Sequence, residues 1–127
     1  MKIFHTADWH IGKIVCERSM LDDQRYFLGK LIKLLQEEKA DALIIAGDLY
    51  DRSVPSADAV ELVDAVLTEI TAGLQIPVLV IAGNHDSRQR ISFAGKLLQK
   101  QKLFMVGTLG RKVQCATLTD QNGPVHF

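Results

Sequence analysis

With 127 residues, the chain has room for one domain built on one hydrophobic core. A hydrophobic fraction of 47% against 24% charged residues excludes a disordered chain, and the lack of any long apolar run excludes a membrane-spanning helix. Fifteen basic and fifteen acidic residues balance, so net charge gives no sign of a polyanionic partner, although a local basic face stays open.

The N-terminal segment Met1-Lys2-Ile3-Phe4-His5 is apolar-rich and breaks at Thr6, as a first strand delivering a loop does. It meets His5, Thr6 and Asp8 before the apolar stretch of a secretory signal can develop, so the expected location is the cytoplasm. Between Leu21 and Glu38, Phe27, Leu28, Leu31, Leu34 and Leu35 recur at helical spacing, which predicts an amphipathic helix. Ala42 to Ala46 is a continuous apolar run and predicts a strand buried on both faces. After a cap at Pro55-Ser56, the positions Val60, Val63, Leu67 and Ile70 predict a second helix that Gly73 ends. Pro77 to Ala82 predicts another buried strand, and Ile91 to Gln101 a third, shorter helix that exposes lysines 96, 100 and 102. Val113 to Leu118 and Val125 to Phe127 flank Asp120-Gln121-Asn122-Gly123-Pro124, which predicts a hairpin. The last residues read as the middle of a strand, and the chain reads as a fragment of something longer.

Alternation of strand and helix implies right-handed crossovers and a parallel sheet, with functional loops beyond the carboxyl ends of the strands. Three such loops carry chemistry: Asp8-Trp9-His10, Gly47-Asp48-Leu49-Tyr50-Asp51 and Gly83-Asn84-His85-Asp86. Each follows an apolar strand, so parallel neighbours would bring carboxylates, imidazole and carboxamide to one edge. That donor set suits manganese, iron or zinc, while the lack of nearby thiolates speaks against a structural zinc. In an extended segment residues i and i+2 project to the same side, so Asp8 and His10 can share an ion while Trp9 points away into packing. Asp48 has two oxygens with which to bridge ions about 3.5–4 Å apart. Gly47 and Gly83 would allow close approach of backbone to the site. Cys16 and Cys115 lie far apart and outside any Cys-x-x-Cys pattern, and both read as free thiols. His5 is expected to pack at a strand end and His126 to lie on the terminal hairpin.

Taken singly, Asp-x-His is a common tripeptide, and Asp-x-x-Asp after a strand is more often a turn or cap. In this order, and each behind a buried strand, the motifs together point to a metal site. The order Asp-x-His, Gly-Asp-x-x-Asp, Gly-Asn-His-Asp resembles the calcineurin-like metallophosphoesterase superfamily. Within it, His5-Thr6-Ala7-Asp8-Trp9-His10-Ile11-Gly12, Gly47 through Pro55-Ser56 and Gly83-Asn84-His85-Asp86-Ser87 are similar to the forms found in DNA break-repair nucleases. The resemblance implies an α/β fold with a β-sandwich core flanked by helices, of which residues 1–127 would be the N-terminal part of the nuclease domain.

The resemblance also implies roles and partners. Asp8, His10, Asp48 and Asn84 would be metal ligands, with Asp48 bridging two divalent ions, most often Mn2+. His85 would be the catalytic histidine, acting on the scissile phosphate or leaving oxygen without binding metal. Asp51 and Asp86 would hold the loops and orient the histidine. DNA would be the substrate, degraded from its 3′ ends or opened at hairpins, and the partners would be a coiled-coil ATPase and a second copy of the chain. The superfamily completes its site with a further histidine and a Gly-His-x-His motif that this chain lacks, so the fragment alone is expected to be inactive. A phosphomonoesterase or cyclic-nucleotide phosphodiesterase of the same superfamily, or a non-catalytic folding or dimerisation fragment, are the alternatives.

Overall fold

The computed structural model describes residues 1–108, 110 and 114–127. In chain order it contains strand β1 (Ile3–Thr6), a hairpin of β2 (Ile14–Val15) and β3 (Arg18–Ser19), helix α1 (Leu21–Glu37) and β4 (Ala42–Ala46). Helix α2 (Ala57–Thr68), strand β5 (Val78–Ile81), the short helices α3 (Arg88–Ile91) and α4 (Gly95–Leu98), and β6 (Leu103–Val106) follow. A hairpin of β7 (Thr117–Asp120) and β8 (Gly123–His126) closes the order. Strands β1, β4, β5 and β6 form one parallel sheet in that spatial sequence, flanked by helices, so the fold is α/β as expected. Of the β-sandwich that the resemblance implies, the described residues supply this sheet and the separate β7–β8 pair.

Successive strands are added in one direction, and right-handed crossovers that always step the same way leave their helices on the same face. On that face Leu43 and Ile45 of β4 and Val78 and Val80 of β5 join one core with Leu28 and Leu35 of α1 and Leu62, Val63 and Val66 of α2. The opposite face is open, which corrects the expectation of strands buried on both sides. Ile44 and Leu79 are half-buried and Ile81 is 53% exposed. Register aligns His5, Ile44, Leu79 and Phe104 across this face, so His5 is exposed on it and does not pack at a strand end. The base of the β7–β8 hairpin covers part of the face, leaving a cavity of about 260 Å³ lined by Ile44, Leu79, Phe104, Ala116 and Phe127. The Met1 amine, 2.7 Å from a carboxylate oxygen of Asp120, ties the hairpin to the start of β1.

Helix α1 starts without a side-chain cap, but Asp22 and Asp23 in its first turn offset the partial positive charge of the unpaired amides. Ser56 caps α2 by accepting from the Ala59 amide at 3.3 Å. The helical course then continues through a wider turn, Glu69–Gly73, to the glycine expected to end it. Its buried stripe is Ala59, Leu62, Val63, Val66 and Leu67, and Val60, expected inside, is largely exposed.

The third helix is not continuous over 91–101. Ala94 adopts a left-handed φ of 54°, which separates α3 from α4. A long-range contact accompanies the break. The Ser92 hydroxyl accepts from the Gly107 amide at 2.9 Å, and Gly107 lies so close to the Arg88 carbonyl that a Cβ there would overlap it.

The β2–β3 hairpin is unforeseen. Its turn residues Cys16 and Glu17 both have positive φ, a demand usually met by Asn-Gly. In the second hairpin the turn is Gln121-Asn122, and Gly123 and Pro124 belong to β8. Of the strand expected at 113–118, residue 113 lies outside the described residues. His126 lies on β8, where its Nδ1 is 2.9 Å from the Thr117 hydroxyl.

Candidate metal centre

The parallel register that joins β1, β4 and β5 carries on past the strands and sets their three loops side by side. The Asp8 amide donates to the Gly47 carbonyl (3.1 Å), His10 to Asp48 (2.9 Å), Ile11 to Leu49 (3.0 Å), and Gly47 to Ile81 (3.1 Å). Asp8, His10 and Asp48 all take left-handed φ, between 45° and 55°, so the first loop is not extended. The ligating side chains of Asp8 and His10 still meet, but through this coiled backbone and not through the two-residue period of a strand. Trp9 turns into the core, with its indole N–H 3.0 Å from the Thr6 hydroxyl.

Ligand atoms of Asp8, His10 and Asp48 lie within 4.8 Å of one another, and so do those of His10, Asp51 and His85. His10 belongs to both groups. Its Nε2 is 3.8 Å from Asp48 Oδ2, and its Nδ1 is 3.4 Å from Asp51 Oδ1. That Nδ1 is buried and has no aligned hydrogen-bond partner. An imidazole with one nitrogen turned to two carboxylates and the other beside a third carboxylate is arranged as a metal-ligating histidine is, so the residues fit a divalent ion.

Asp48 is buried, and its Oδ1 accepts from the His85 amide at 2.8 Å. The closeness depends on Gly83, where a Cβ would lie 2.0 Å from Asp48 Oδ1. The His85 ring is itself exposed and stands edge-on to His10, with centroids 4.8 Å apart. Its Nδ1 is 2.9 Å from the Asp51 carbonyl, which only accepts, so Nδ1 carries the hydrogen and Nε2 is left for a ligand. Asn84 is exposed on the same loop, one residue before His85.

Asp86 does not join the cluster. One of its oxygens accepts from the Leu49 amide at 3.0 Å and the Gly83 amide at 2.9 Å, and the other from Tyr50 at 2.9 Å, which locks the third loop to the second. It therefore ties the third loop to the second, and the group against the His85 ring is the Asp51 carbonyl. Burial, and then the charges of Asp86 and Asp64, push the Tyr50 phenol up to about 12, so it stays protonated near neutrality and offers no base. Sequence reasoning missed Gln24, whose side chain reaches from α1 into the first loop. On a helix with a polar outer face, a glutamine gives no signal that it does so.

Three loops at the carboxyl edge of a parallel sheet, carrying these donors in this order, define a metallophosphoesterase. The model of the calcineurin-like phosphoesterase family matches residues 1–123, and the chain belongs to that family. In particular, it is 39% identical over 125 residues to the SbcD subunit of the nuclease SbcCD of Staphylococcus saprophyticus subsp. saprophyticus. That alignment covers 98% of this chain and 31% of the relative, so the chain spans about a third of the relative's length. Among the described residues, no helix is long and apolar enough to cross a membrane.

Proposed function

We propose that residues 1–127 are the N-terminal part of a metallophosphoesterase nuclease domain that cleaves phosphodiester bonds in DNA. The observation that carries this reading is the convergence of Asp8, His10 and Asp48, with His85 beside them, at the end of three parallel strands. Asp8, His10 and Asp48 would hold a first divalent ion, and Asp48 and Asn84 would face a second, Mn2+ being the proposed metal. Bound there, divalent ions would supply activation of a water nucleophile and offset charge on the phosphate.

The chain's own residues do the rest. Asp51 sets a carboxylate 3.4 Å from His10 Nδ1, on the side of the ring away from Asp48, so its charge favours a hydrogen on that nitrogen and leaves Nε2 for the ion. The Asp51 carbonyl and the Asp48 carboxylate hold His85 at ring and amide, leaving Nε2 to face the leaving oxygen, to which the doubly protonated ring would pass its Nε2 proton and return to the neutral Nδ1–H form. Asp86 keeps the second and third loops in register. The partners we propose are an SbcC-like ATPase and a second copy of the chain. Phe93 and Leu97, 78% and 67% exposed on the segment containing α3 and α4, offer an apolar surface for that second copy.

The test is Mn2+-dependent cleavage of a DNA hairpin against cleavage of a simple phosphate monoester by the complete nuclease. Preference for the hairpin, lost on chelation, is expected. Preference for the monoester would make the protein a phosphatase of the same family, and metal-independent behaviour with no cleavage would make the chain a non-catalytic element.

A further inference from the structure

We propose that Gln24 is a positioning residue for the first metal site, acting through the backbone of the Asp8–Gly12 loop. Gln24 is half-buried near the start of α1. Its carboxamide uses both ends on one short stretch of chain: Nε2 donates to the His10 carbonyl at 2.8 Å and the Trp9 carbonyl at 3.2 Å, and Oε1 accepts from the Gly12 amide at 3.0 Å. Only an uncharged amide side chain of this length supplies two donors and an acceptor in that order. A carboxylate would face the two carbonyls with negative charge, and an alkyl chain would take the side-chain donor from both, leaving the His10 carbonyl with the Lys13 amide alone.

The loop closes on itself only through the Lys13 amide, which donates to the His10 carbonyl at 3.1 Å, and Gln24 adds three bonds to it. His10 has φ 45° and Gly12 φ 89°, both in the left-handed region, which costs a residue with a Cβ about 1 kcal/mol or more unless its surroundings fix it. The bonds from His10 and Ile11 to the second loop fix one side of the loop, and Gln24 fixes the other, from a rigid helix. The His10 ring is aimed by that backbone, so Gln24 sets where Nε2 stands relative to Asp8 and Asp48 without touching an ion.

This inference rests on the metal-site reading above, and the test separates the two. Mn2+ is titrated by calorimetry into the 127-residue chain, into Gln24→Glu and Gln24→Met, into Gln36→Ala as an exposed control on the same helix, and into Asp8→Ala. Helical circular dichroism of the metal-free proteins reports the fold. Expected are folded Gln24 variants that bind Mn2+ about 10-fold or more weakly, the range for groups that orient a ligand, and an unchanged Gln36→Ala. Folded Gln24 variants with affinity within about twofold of the unaltered chain, or loss of fold in both variants, would overturn the positioning role. Failure of the unaltered chain to bind, or binding indifferent to Asp8→Ala, would instead overturn the metal-site reading and the positioning role with it.

Discussion

Asp48 and Asp86 are the two buried acidic side chains among the described residues, 6% and 7% exposed, and of the two only Asp48 belongs to a group of potential metal ligands. Both oxygens of Asp86 are occupied by three backbone amides. Asp48 accepts one amide through Oδ1 and turns Oδ2 towards His10. Equal burial therefore conceals opposite uses. Acceptor capacity left over after the backbone is satisfied separates a carboxylate that can reach an ion from one that anchors the chain.

Substitutions in the cluster test this contrast. The largest effect is expected from Asp48→Ala, which should abolish DNA hydrolysis in the complete nuclease while leaving the fold in place, because only one amide, that of His85, loses its partner. Turnover at the unaltered rate would remove Asp48 from the site. His85→Leu should lower turnover by about 10²–10⁴-fold, the range for a lost general acid, and leave metal binding nearly intact. Calorimetry that found an ion missing in this variant would make His85 a ligand.

For Asp86 the expected loss is in stability. Asp86→Ala strands the Leu49, Tyr50 and Gly83 amides and should cost about 3 kcal/mol in denaturant unfolding, since each buried unsatisfied group costs about 1–3 kcal/mol. A variant as stable as the parent would mean that water replaces the carboxylate and that the clamp is unimportant. The smallest effect concerns the surface remote from both carboxylates, where Leu97→Glu should weaken self-association without changing the fold. Sedimentation that detects the same species before and after would remove this face as the pairing surface.

The loop cluster was legible in the sequence because its chemistry is local. Each motif directly follows an apolar run, Ala42 to Ala46 forms a strand over those very residues, and Leu21 and Gly73 bound their helices as expected. What was not legible depends on distant partners. The helix expected over 91–101 breaks at Ala94, where Ser92 hydrogen-bonds to Gly107, 15 residues on, a contact that no periodicity encodes. Cys16-Glu17 turns a hairpin without the usual turn residues. The left-handed conformations of Asp8, His10 and Asp48 fall on residues that carry a Cβ, so the ligand geometry came from coiled backbone where an extended loop was expected. The open sheet face was misread because a run such as Ala42 to Ala46 is apolar at every position and does not say which alternate residues are covered.

The central claim is that Asp8, His10 and Asp48 hold a divalent ion at the end of β1 and β4. Its most direct measurement is the stoichiometry of Mn2+ bound to the 127-residue chain, alone and as Asp8→Ala and Asp48→Ala. One ion per chain is expected, bound weakly through these three side chains and lost in both variants, because a second ion would meet Asp48 and Asn84 alone among the residues assigned to the site; no ion at all would remove the site. Two tightly held ions, or one that survives both substitutions, would contradict it and move the site elsewhere in the chain.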